Sequence, residues 1–140
     1  MIQKITCTDA PKAIGPYSQA IVAGDYLFVS GQLPVDPTTG KLISGTIEEM
    51  THLVIDNLEA ILKTAGLSLQ QVVKTEVFLK NLDDFQAMNR AYGERFSHDP
   101  APARQAIQAA KLPLDASIEI SCIAYRNKSE NKHPAEQKAR

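Results

Sequence analysis

Apolar and polar positions alternate along most of this chain with one of two periods, and the switches between them mark its elements. Ile2 to Thr6 reads as a short strand, and Ala10 to Pro16, with two prolines and a glycine, as an irregular segment. Ser18 to Ala23 and Tyr26 to Ser30 are strand-like runs separated by Gly24-Asp25, a two-residue hairpin signal. Gly31 follows, where the missing side chain lets a backbone N–H approach a ligand closely. Asp36-Pro37-Thr38-Thr39-Gly40 carries the residue types of a tight turn.

At Thr46 the period changes. Thr46-Ile47-Glu48-Glu49 fits a capping box, and Ile47, Met50, Val54, Leu58, Ile61 and Ala65 follow at three- and four-residue steps, predicting an amphipathic helix that Gly66 terminates. Val73, Thr75, Val77 and Leu79 then alternate with Lys74, Glu76 and Lys80, a half-buried strand with Phe78 as the apolar exception on its outer face. A second helix is predicted from Asp83-Asp84-Phe85-Gln86, with Phe85, Met88, Tyr92 and Phe96 as its stripe. Asn89 interrupts that stripe, so its amide is expected to face the apolar side and to need a partner. His98-Asp99-Pro100-Ala101-Pro102 is a stiff loop before two last strands, the second ending at Tyr125. This order predicts an α+β domain with both helices on one sheet face.

Those two strands hold the conspicuous charges. Arg104 lies among Ala103, Ala106 and Ile107, and Glu119 between Ile118 and Ile120. A lone charge in apolar surroundings needs a partner. Paired as neighbouring strands, the two segments would present both side chains on one face. They would form either a cross-strand ion pair of ~0.2–1 kcal/mol or a site in which a guanidinium holds a carboxylate and a carboxylate handles a proton.

Composition narrows the chemistry. The 140 residues (15.3 kDa) are 44% hydrophobic and 22% charged, with formal charge −1, as expected for one soluble globular domain. We read residues 1–126 as that domain and residues 127–140, rich in Lys, Glu, Asn and Gln, as a polar, disordered tail. The tail is net +2, leaving the body at −3 without a basic stripe, poor grounds for nucleic-acid binding. No apolar run approaches the roughly 18 residues of a membrane span, and Met1 to Thr6 lack a signal peptide's apolar centre, so a cytoplasmic location is expected. Cys7 and Cys122 form no CxxC pattern and read as reduced, structural thiols. His52, His98 and His133 have no metal-ligand spacing, and nucleophile-elbow, phosphate-loop and dinucleotide motifs are missing.

Gly15-Pro16-Tyr17-Ser18-Gln19-Ala20, Val29-Ser30-Gly31-Gln32-Leu33-Pro34, Asn89 followed by Tyr92, Pro102-Ala103-Arg104, and Leu112-Pro113 with Ile118-Glu119-Ile120 occur in this order. Together they closely resemble the RidA (YjgF) family of reactive-intermediate deaminases, from near residue 1 to about Tyr125. The resemblance implies a chorismate-mutase-like α+β fold with a mixed six-stranded sheet, two helices on one face, and a homotrimer with active sites between subunits. It implies hydrolysis of 2-imino acids such as 2-iminobutanoate and 2-iminopropanoate, or their enamines, to 2-oxo acids and ammonia, with no cofactor or metal. Carried over by motif, Arg104 binds the substrate carboxylate and Glu119 activates the water. The Gly31 N–H and Ala106 carbonyl complete the pocket, and Tyr17, Ser30 and Asn89 shape it. Gln105 departs from the pattern, since a small residue usually follows the arginine; alternation points it away from Arg104. Ala106 stands where many members have cysteine, which excludes a thiol mechanism. Two other readings are a non-catalytic sensor of small carboxylates such as 2-oxo acids and a translation-inhibiting endoribonuclease.

Overall fold

The capping box is formed as the sequence predicts: the Glu49 N–H donates to Thr46 Oγ1 (3.1 Å) and the Thr46 N–H to Glu49 Oε1 (2.9 Å). It opens α1 (Ile47–Thr64) in a computed structural model that describes residues 1–126; the tail expected from Asn127 onward lies outside the described residues. The other elements are β1 (Ile2–Ile5), β2 (Ala20–Ala23), β3 (Tyr26–Gln32), β4 (Val72–Leu79), α2 (Phe85–Arg95), β5 (Ala103–Gln108) and β6 (Ile118–Tyr125). The hairpin at Gly24-Asp25 is present, with Ala23 opposite Tyr26.

The strands make one mixed sheet in the order β1-β2-β3-β6-β4-β5, in which only β4 and β5 run parallel. Two parallel neighbours need a crossover, and α2 supplies it. Alternation sends Leu27, Val29, Val77, Leu79, Ile118, Ile120 and Cys122 to one face, where they form a single core with Val54, Leu58, Ile61 and Leu62 of α1 and Met88 and Tyr92 of α2. Fully burying one such side chain contributes about 1.5–3 kcal/mol. Residues of the other parity, Tyr26, Phe28, Phe78, Ile123 and Tyr125, lie on the opposite face, which no described helix covers.

Two expectations are corrected. β5 and β6 are not neighbours, because β4 lies between them: the β4–α2–β5 crossover sets β5 at the sheet edge, while the evenly alternating β6 fills the gap between β3 and β4. An Arg104–Glu119 cross-strand pair therefore does not form. Val73 is also not inward-facing; a register shift between Val72 and Lys74 buries Val72 and leaves Val73 42% exposed.

Candidate active site

Arg104 stands opposite Thr75 of β4, and Thr75 is fully buried toward the helices, so Arg104 projects on the helix face at the β5 edge. There α2 presents Phe85, Asn89 and Tyr92, at i, i+4 and i+7 on one side of the helix. The Arg104 guanidinium donates from Nη1 to Asn89 Oδ1 (2.6 Å) and stacks 4.8 Å from the Tyr92 ring centre and 5.4 Å from that of Phe85. Tyr92 is fixed from behind by a 2.7 Å hydrogen bond between its hydroxyl and that of Thr75. Burial pushes the Tyr92 pKa up; the Thr75 bond and the Arg104 charge oppose the shift, and Cys122 adds slightly to it. Arg104 itself is exposed, and among the described residues it meets no carboxylate. Asn89, expected against the apolar side, is exposed as well, with Arg104 as the partner its amide needs. Ala106, two residues along β5, shares the face of Arg104.

Glu119 lies on the other face of the sheet, opposite Phe78 of β4. It packs over Gly31, where β3 shifts register between Val29 and Gln32. A Cβ at Gly31 would stand 2.8 Å from Glu119 Cδ and 3.0 Å from Cγ, so the glycine is what gives the carboxylate its place. Glu119 is half-buried, and desolvation raises its pKa above the ordinary value of 4.5. Ser30 is already engaged, its hydroxyl donating to the Ser18 carbonyl (2.6 Å) and its N–H to that of Gln19 (2.9 Å). Those bonds hold the segment carrying Tyr17, which is 52% exposed and lines, with Gly31, a cleft of about 540 Å³.

The residues singled out from sequence thus fall into two groups within one chain, Tyr17, Ser30, Gly31 and Glu119 in one and Asn89, Arg104 and Ala106 in the other. Gln105 points away from Arg104 as expected, paired with Glu76. Sequence reasoning missed Phe85 and Tyr92 as the rings bracketing Arg104, and Thr75 as the support of Tyr92; a threonine at a buried strand position was the available signal. It also missed Gln19, whose buried amide accepts from the Cys7 N–H (2.7 Å) and donates to the carbonyls of Cys7 (3.0 Å) and Pro11 (2.7 Å), pinning the loop before Tyr17. Burial pushes the Cys122 thiol up to about 12, and both cysteines are free. Among the described residues no three His, Cys, Asp or Glu side chains gather as a metal site.

The α+β domain thus carries an aromatic-bracketed arginine at one sheet edge and a desolvated carboxylate over a glycine on the other face. A model of the Endoribonuclease L-PSP family matches residues 7–126. The chain is 48% identical over 126 residues to a RutC family protein of Pyrococcus horikoshii, covering 90% of this chain and 99% of that one. It is 46% identical over 120 residues to the chloroplastic Reactive Intermediate Deaminase A of Arabidopsis thaliana, covering 86% of this chain and 64% of that protein. The crystal structure of Escherichia coli TdcF with bound serine superposes with a TM-score of 0.84 at 38% identity, covering 89% of this chain and 99% of that one. The chain belongs to the L-PSP family, which is the RidA (YjgF) family its motifs resemble.

Proposed function

We propose that the protein is a hydrolytic deaminase of 2-imino acids, including 2-iminobutanoate and 2-iminopropanoate, acting in the cytoplasm as a homotrimer with its active sites between subunits. The observation that carries this reading is the division of the site: Arg104 and Glu119 lie on opposite faces of one sheet, so a single substrate reaches both only between two copies. The uncovered sheet face supports the assembly, since it leaves Tyr26 (45% exposed), Phe28 (41%) and Ile107 (44%) open to solvent, apolar side chains that another protein surface could cover.

In this reading Arg104 holds the substrate carboxylate through its free donors, already oriented by Asn89 and the two rings, so little ordering remains when substrate arrives. Glu119 of the neighbouring copy takes a proton from water, whose oxygen bonds to the imine carbon as the C=N π electrons move to nitrogen. Glu119 then passes that proton to the nitrogen; as the C–N bond breaks, the hydroxyl oxygen forms C=O and gives up its proton through Glu119 to the departing ammonia, so iminium and water become 2-oxo acid and ammonium. The Gly31 N–H and the Ala106 carbonyl are assigned to the water and the nitrogen. An iminium carbon is already electrophilic, so positioning and one proton carrier suffice. The bound serine of the TdcF structure, an amino acid with an α-carboxylate, fits a carboxylate-holding site in this family.

A coupled assay tests this: threonine dehydratase generates 2-iminobutanoate in the presence of semicarbazide, and 2-oxobutanoate formation is followed. Acceleration by the wild type and not by Arg104→Ala is expected. No acceleration by either, with saturable Arg104-dependent binding of 2-oxobutanoate, would replace catalysis with carboxylate sensing.

A further inference from the structure

The cleft beside Gly31 is larger and more apolar than a four-carbon imino acid requires. Its volume of about 540 Å³ is in the range that encloses drug-sized molecules. Among the described residues Lys12 is the one charged side chain in its wall, whereas Ile14, Tyr17, Leu33, Val35 and Leu114 all contribute to it. Two of these are held out toward water against the usual tendency of aliphatic side chains: Ile14 is 87% exposed and Leu114 66%.

Leu114 is presented by a turn built for the purpose. It has φ 59° and the next residue, Asp115, φ 55°, two consecutive left-handed residues that are not glycine. Three bonds pin the turn: the Asp115 N–H to the Leu112 carbonyl (3.0 Å), the Ala116 N–H to the Pro113 carbonyl (3.1 Å), and Lys80 Nζ to Asp115 Oδ2 (3.0 Å). Buried Leu112 anchors its start. A glycine at position 114 would relax this backbone, whereas the leucine lines the cleft and is covered by none of the described residues, which leaves its side chain available to what enters a site completed by a neighbouring copy.

We propose that Leu114 and Ile14 form an apolar side-chain subsite that makes the protein prefer 2-imino acids with long or branched aliphatic side chains over those with methyl, ethyl or carboxylate-bearing ones. This rests on the deaminase reading for the reaction, but the subsite can be measured without it. Glu119 packs over Gly31, and Gly31 shares the cleft wall with Ile14 and Leu114, so a substrate with its reacting carbon beside Glu119 and its carboxylate on the neighbouring copy's Arg104 has that wall within reach of its remaining substituent. Each further methylene received by an apolar pocket raises discrimination by about tenfold or more.

The test is the calorimetric affinity of 4-methyl-2-oxopentanoate, 2-oxobutanoate and 2-oxoglutarate for the wild-type protein, Leu114→Gly and Ile14→Ser, alongside hydrolysis of the corresponding imines. The wild type is expected to bind 4-methyl-2-oxopentanoate at least about tenfold more tightly than 2-oxobutanoate. Leu114→Gly should bring that ratio close to one without lowering Tm, because glycine suits the left-handed backbone; a leucine with a merely structural role would show the reverse. Ile14→Ser should reduce the ratio in the same direction. Equal wild-type affinities, an unchanged ratio in Leu114→Gly, tightest binding of 2-oxoglutarate through Lys12, or no binding at all would each overturn the subsite. The graded preference without imine hydrolysis would sink the deaminase reading and leave the subsite standing. Hydrolysis without the preference would do the opposite.

Discussion

At the residue scale, two charged groups of the candidate site, Arg104 and Glu119, have different surroundings. Arg104 is exposed yet oriented, bracketed by Phe85 and Tyr92 and tied to Asn89. Removing one ring should loosen it without touching the chemistry. Phe85→Leu is therefore expected to raise KM several-fold with kcat little changed, since an exposed cation–π contact is worth about 0.5–1 kcal/mol; steady-state kinetics will read this. Glu119 is desolvated, so its folded pKa stands above the ordinary 4.5. Between the unfolded and folded values the folded state binds more protons. The stability this contributes is full below the unfolded pKa and is lost as pH rises through the folded one. Glu119→Gln should therefore gain Tm relative to the wild type as pH rises from about 4 toward neutrality, while losing turnover. The acidic limb of wild-type kcat/KM should lie above the ordinary carboxylate range. A Tm difference independent of pH would remove the desolvation argument.

At the element scale, local signals were readable and long-range pairing was not. The helix start at Thr46 depends on side chains three residues apart, and it forms as written in the sequence; Thr46→Ala should cost about 0.5–2 kcal/mol in denaturant unfolding without altering the site. Proximity in sequence leaves a β5–β6 pairing open, whereas the helical crossover and the pairing demands of β4 rule it out. Asn89 was misjudged for a related reason: helical spacing puts it beside Phe85 and Tyr92, but the edge of β5, invisible in the local pattern, supplies a cation there. Val73 moved outward because a bulge resets the alternation, and no residue type announces it. Gly31 is the converse, a position whose lack of a side chain is plain in the sequence, while Glu119 as the occupant of the space is not. Gly31→Ala is expected to displace the Glu119 carboxylate, with turnover falling close to that of Glu119→Gln while far-UV circular dichroism is unchanged.

For the whole molecule, the six strands and two helices were legible as an α+β domain from periodicity, and the motif set supplied the membership that the family match bears out. The division of the candidate site was not legible, because strand parity assigns faces only once register is known. With register in hand, Arg104 faces α2 and Glu119 faces the bare side of the sheet, the arrangement from which we propose a site shared between copies. In the proposed closed ring each copy would lend its arginine to one neighbour and its glutamate to the other. The most direct test is to mix Arg104→Ala and Glu119→Gln, each inactive alone, under conditions that exchange subunits, and to assay 2-iminobutanoate hydrolysis. Random assembly into closed trimers restores an intact site at about a quarter of the interfaces, so a return of roughly that share of wild-type activity is predicted. A mixture that exchanges subunits yet stays inactive, beside an active wild type, would contradict a site shared between copies.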